Sequence, residues 1–147
     1  MKEGTLHEEI TSVDHAMEIL DDPLEDQLLH EKAIRYLSYR PIDRVIKKLV
    51  QALQYDEFAI RWEAAIALAQ LGEKALPELL RALVDPKKVG DPRLREGVYH
   101  ILHYNRSPFY SVNITRLMQA LKGPAADISS MEEASRLLKQ IEIRGQG

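Results

Sequence analysis

The segment from Asp56 to Leu83, DEFAIRWEAAIALAQLGEKALPELLRAL, carries two amphipathic helical stripes joined at a glycine, and imperfect copies lie on both sides of it. A helix pair of this kind cannot bury its apolar faces alone. Recurrence at a nearly constant period therefore predicts a stacked array in which each copy completes the core of the next. Three helix starts mark the period: Asp22-Pro23, Asp56 and Asp91-Pro92, spaced 34 and 35 residues apart. An Asp carboxylate at a helix start accepts from free backbone N–H groups, and a proline in the first turn gives up an N–H that has no partner there. Capping-box patterns at Thr5 with Glu8 and at Ser129 with Glu132 predict two further, terminal helices.

Residues at i, i+3, i+4 and i+7 share one side of a helix, so the apolar spacing assigns faces. Ile42, Val45, Ile46, Leu49, Val50 and Leu53 form one stripe. Leu76, Leu79, Leu80 and Leu83 form the next, and Ile114, Leu117, Met118 and Leu121 the third. Leu49, Leu79 and Leu117 are equivalent, with Leu53, Leu83 and Leu121 one turn later. The first helix of each pair recurs through Leu29 to Leu37, Ile60 to Leu71 and Leu94 to Leu102, and its centre aligns Glu31, Glu63 and Glu96. Alanines at 64, 65, 67 and 69 permit close helix approach on more than one side, as the middle of a stack requires. Gly72 supplies the positive φ that commonly closes a helix.

These patterns predict a single all-α domain over residues 1–147. Its repeats fall at about 22–55, 56–84 and 91–122, with capping helices at about 5–21 and 129–143 covering the two ends. No sustained period-two alternation marks a strand.

Composition narrows the function classes. With 20 Lys and Arg against 23 Asp and Glu, the chain lacks the broad positive field that neutralises nucleic-acid phosphates. The absence of cysteine excludes disulfides, thiolate catalysis and Cys-ligated zinc. The first twenty residues mix acids with apolar side chains, unlike a secretory signal, and no run approaches the roughly 18 to 20 apolar residues that span a bilayer. A cytoplasmic location follows as the expectation. Phosphate-cradling and nucleophile-elbow motifs are missing, and acid pairs such as Asp21-Asp22 and Glu132-Glu133 sit at helix ends or first turns, where they complement the helix dipole.

The stretch IRWEAAIALAQLGEKALPELLRAL, Ile60 to Leu83, resembles the HEAT-repeat family, in the short bacterial form associated with phycobilisome lyase subunits. Arg61 near the start of the first helix, the pair Ala64-Ala65, the closing Leu71-Gly72 and Pro77 in a leucine-rich second helix carry the likeness. The neighbouring units are degenerate: Tyr39-Arg40 and Tyr104-Asn105 stand at the closing Leu-Gly position. The resemblance implies a right-handed α-solenoid with first helices on the convex side and second helices lining a concave groove. Members mostly bind proteins. Some form enzyme subunits, so an accessory subunit of a chromophore (bilin) lyase-like enzyme is the alternative, and a nucleic-acid-binding solenoid a third reading, which the acidic balance opposes.

On the groove, register with the apolar stripes places Gln51, Arg81 and Gln119 on one line and Lys48, Glu78 and Arg116 on a neighbouring one, with Lys47, Arg44 and Lys122 adding positive charge. The expected partner is a protein or peptide with an acidic surface, bound without catalysis and without a cofactor.

A second patch gathers His100, His103, Tyr104, Phe109 and Tyr110 beside Tyr99. Histidines at i, i+3 can face one metal, and aromatics can equally fill a wide gap between helices. No carboxylate completes a metal motif there, so no metal is expected. His30-Glu31 matches the pair that HEAT-type deoxyhypusine hydroxylases repeat to hold two irons. The equivalents here are Trp62-Glu63 and Arg95-Glu96, which cannot assemble that cage. Trp62, at helical spacing with Phe58 and Ile66, reads as packing between units.

Overall fold

The structure, a computed structural model, describes residues 9–104 and 113–146. Its helices are α1 (Val13–Asp21), α2 (Gln27–Leu37), α3 (Asp43–Ala52), α4 (Phe58–Leu71), α5 (Leu76–Val84), α6 (Pro92–Tyr104), α7 (Thr115–Lys122) and α8 (Ala126–Gln146), with a short 3-10 turn at Gly72–Ala75. No strand occurs among the described residues. The first helices α2, α4 and α6 pack side by side in chain order, with α1 laid against α2. Behind them α5 packs on α3, and α8 lies against both α5 and α7. The result is an all-α solenoid of helix pairs.

The leucine stripes form the seam between the layers. Leu49, Leu79 and Leu117 are fully buried, and Leu53, Leu83 and Leu121 are buried one turn on. Helix α4 buries Ile60, Ala64, Ala65, Ala67, Leu68 and Ala69, a set spread around most of its circumference. That distribution suits a helix flanked by α2, α3 and α6 at once. Gly72 ends α4 at φ 65°, ψ −133°, a conformation open to glycine, and its N–H bonds the Leu68 carbonyl.

The caps depart from the sequence expectation at several places. Asp91 does precede α6 and accepts from the Arg93 N–H at 2.9 Å. Helix α2, however, starts four residues beyond Pro23, capped by Asp26, whose carboxylate accepts from Leu28 and Leu29 N–H groups. Asp22 instead accepts from the Leu24 N–H at 2.9 Å, closing a turn after α1. Glu57, not Asp56, occupies the cap position of α4 and makes no side-chain cap bond. Ser12 caps α1 through the His15 N–H, whereas Thr5 and Glu8 lie outside the described residues. Ser129 falls inside the first turn of α8 rather than ahead of it.

Burial also resets the register of the first helices. The deepest positions align as Leu29, Ile60 and Leu94, then Ala33, Ala64 and Val98, then Leu37, Leu68 and Leu102. On that alignment His30 corresponds to Arg61 and Arg95. Glu31 therefore corresponds to Trp62 and Glu96: its alignment with Glu96 holds, and Glu63 is off by one residue, because polar positions drift where the apolar stripe does not pin them. Glu31 and Glu63 nevertheless meet: Arg35 reaches both, at 3.5 and 3.3 Å, across the first two units.

Candidate functional site

The second-helix layer presents an open cleft of about 460 Å³ between α3 and α5, bordered by Arg44 and Lys47 on one side and Lys74, Pro77, Glu78 and Arg81 on the other. The cleft exists because each of these helices alternates a buried leucine face with an outward polar one. On α3, Val45, Ile46, Leu49 and Val50 turn inward, which leaves Arg44 and Lys47 exposed. On α5, the buried Leu76, Leu79, Leu80 and Leu83 leave Glu78 and Arg81 toward the opening. Four cations therefore surround two acids, Asp43 and Glu78. Arg81 pairs with Glu78 at 2.9 Å and Arg44 with Asp14 of α1 at 2.5 Å. Among the described residues no ion pair engages Lys47 or Lys74. The unsatisfied charge of the cleft is accordingly positive.

The remaining groove residues are placed differently. Lys48 is turned to an ion pair with Asp21 at the end of α1. Arg116, on α7, pairs with Glu133 of α8 at 2.8 Å, and Glu133 also takes Arg136. Gln51 and Gln119 are exposed. The structure brings Lys47, Glu78 and Arg81 to one cleft, and it sets Arg116 against α8 rather than beside Arg81. Sequence spacing could not show this, because the acids that engage Lys48 and Arg116 come from helices outside their own pairs. Lys74 was missed altogether: it sits in the 3-10 turn, where no helical face assigns it.

The aromatic patch spans α4 and α6. Phe58 stacks toward Trp62 with ring centroids 6.4 Å apart, and Trp62 meets His100 edge-on at 6.1 Å. His103 stacks on Tyr99 at 5.7 Å and 10°, and the Lys122 ammonium lies 4.6 Å from the Tyr99 centroid. The two imidazoles share Tyr99, which His100 meets edge-on at 6.0 Å, while His100 alone also meets Trp62. Trp62 is 43% exposed and joins Ala65, Ala69, His100, His103 and Tyr104 around a small apolar hollow of about 60 Å³. Its packing role between units is real, and it reaches the surface as well. Phe109 and Tyr110 lie outside the described residues.

A family model described as HEAT repeats matches residues 13–102. No curated protein and no solved structure matches the chain. No helix among the described residues is long and apolar enough to cross a membrane.

Proposed function

Because the chain belongs to the HEAT-repeat family, whose repeats generally mediate protein–protein interaction, we propose that it is a non-catalytic recognition module that takes an acidic protein surface into the cleft between α3 and α5. That cleft lies on the second-helix side, the concave side in the family arrangement. The observation that carries the reading is the surplus of cations there, with Lys47 and Lys74 outside any ion pair among the described residues. Charge complementarity of this kind speeds encounter and excludes basic partners more than it adds affinity. The bilin-lyase alternative draws on resemblance alone. A cytoplasmic setting accords with this role.

The test is a pull-down with the intact chain, followed by affinity measurement on the recovered partner. Reversing Lys47 and Lys74 together to Glu is expected to weaken binding at least tenfold while the protein stays folded, and wild-type affinity should fall as salt rises. Unchanged affinity in the reversed variant would remove the cleft as the binding face.

A further inference from the structure

The loop edge between the first two units holds a second, open cavity of about 320 Å³, bordered by Asp21, His30, Tyr55, Asp56 and Glu57. Its His30 and Tyr55 side-chain donors are directed elsewhere. His30 Nε2 stands 2.8 Å from the Asp22 carbonyl, and a carbonyl only accepts, so Nε2 carries a proton; with that tautomer Nδ1 is the acceptor of the ring. Tyr55 donates its hydroxyl to the Leu20 carbonyl at 2.9 Å. Burial, helped by the charges of Asp21 and Glu57 and opposed by Lys48, raises the Tyr55 phenol pKa and so holds that proton in place. Gln54 gives its amide to Asp91 at 2.9 Å. With Asp21 engaged by Lys48 and Asp56 by Arg93, the side-chain acceptors left to the cavity are Nδ1, the Glu57 carboxylate and the phenolic oxygen.

His30 is only 2% exposed, and its Nδ1 has no hydrogen-bond partner among the described residues. Glu57 Oε2 lies 3.8 Å from it. Two acceptors held this close, one of them buried, call for a donor that bonds both.

The other units show which donor the fold uses. At the position of His30, Arg61 gives its guanidinium to the carbonyls of Tyr55 and Asp56 at 2.7 and 2.8 Å, and Arg95 gives its own to Val89 at 2.6 Å. At the next junction Arg93 ties Asp56 to Asp91, at 2.8 and 3.0 Å. Aligning the starts of α4 and α6 sets Ala59 where Arg93 stands. The first junction thus has a shorter residue at both places where the next junction carries arginine, and it keeps the Glu57 carboxylate.

We propose that this cavity binds a guanidinium group, which donates to His30 Nδ1 and the Glu57 carboxylate and takes the space that arginine side chains fill in the later units. The group arrives either on an arginine side chain of a protein segment or as a free guanidino compound. Planar N–H donors in a fixed fork suit a carboxylate beside an imidazole acceptor, and a cation without N–H groups cannot serve.

The test uses the full chain with ¹⁵N-labelled histidine at pH 7.5, following the His30 Nδ1 resonance. Methylguanidinium should give a saturable shift, and tetramethylammonium, which has equal charge and no donor, should give none. Glu57→Gln should weaken the methylguanidinium response at least tenfold. His30→Arg should abolish binding, read by calorimetry, while the protein stays folded by circular dichroism. Tighter binding of Nα-acetyl-arginine amide than of methylguanidinium assigns the site to an arginine in a chain, and the reverse order to a free compound. Equal shifts from methylguanidinium and tetramethylammonium would overturn the proposal. So would undiminished binding by the folded His30→Arg protein, or a His30 already protonated on both nitrogens and closed onto Glu57.

Discussion

Leu79→Ala tests the seam on which the whole array depends. Leu79 is fully buried near the middle of α5, which is flanked by α3 on one side and α8 on the other. The substitution deletes three carbon atoms, and at about 0.8 kcal/mol per buried methylene the lost transfer free energy is about 2.4 kcal/mol. Neighbours held on both flanks collapse poorly into the space, and each ~40 Å³ of void left unfilled adds about 1 kcal/mol. The expected loss is therefore about 3 to 4 kcal/mol. For a chain of this size that corresponds to a fall in Tm of roughly 10 °C. Urea denaturation followed at 222 nm should show the midpoint falling with an unchanged slope, so that the difference reports stability alone. A loss within about 0.5 kcal/mol is what a surface residue gives, and that result would refute the buried register of α5.

Two further outcomes follow from the backbone and the charges. Gly72→Ala forces a side chain into a φ of 65° with ψ −133°, and should cost about 1 to 3 kcal/mol in the same denaturation assay. A cost near zero would mean that the end of α4 relaxes freely. For Asp91, burial raises the pKa, but hydrogen bonds from the Arg93 side chain, Gln54 and the Arg93 backbone outweigh it and hold the carboxyl at about 2, below the usual 3.8. A depressed folded pKa contributes stability that is complete above the unfolded value and is lost as pH falls from about 4 through about 2. The contribution is about 1 kcal/mol once solvent screening is allowed for. Asp91→Asn should flatten that part of the pH–stability curve, and an identical acid slope in both proteins would contradict it.

The seam was legible because leucines at helical spacing have one way to be buried: Leu49, Leu79 and Leu117 could be matched from spacing alone. Cap residues were less so. Asp22 and Asp26 offer the same carboxylate, and only the folded turn shows that one serves Leu24 and the other α2. The placement of α8 was hidden for a different reason. Its apolar stripe, with Met131, Ala134 and Leu138, states that a face is buried but not against which helix. The candidate cleft was half legible, since Lys47, Glu78 and Arg81 share an outward face, while the engagement of Lys48 by Asp21 and of Arg116 by Glu133 depends on elements distant in sequence. The His30 cavity was masked by a register error of one residue. Arg61 had already been singled out in the family pattern, and matching it to His30 was the available signal.

The seat of α8 against α5 has a kinetic consequence. In a simple array each unit rests on its sequence neighbours, and the stack can grow or fray one unit at a time. Here one side of α5 is covered by a helix that begins at Ala126, more than forty residues beyond the end of α5 at Val84. During synthesis that apolar side is made early and covered late. The second unit cannot reach full stability until the last helix docks, and closing so long a loop places a slow, non-local step in the folding of an otherwise local chain.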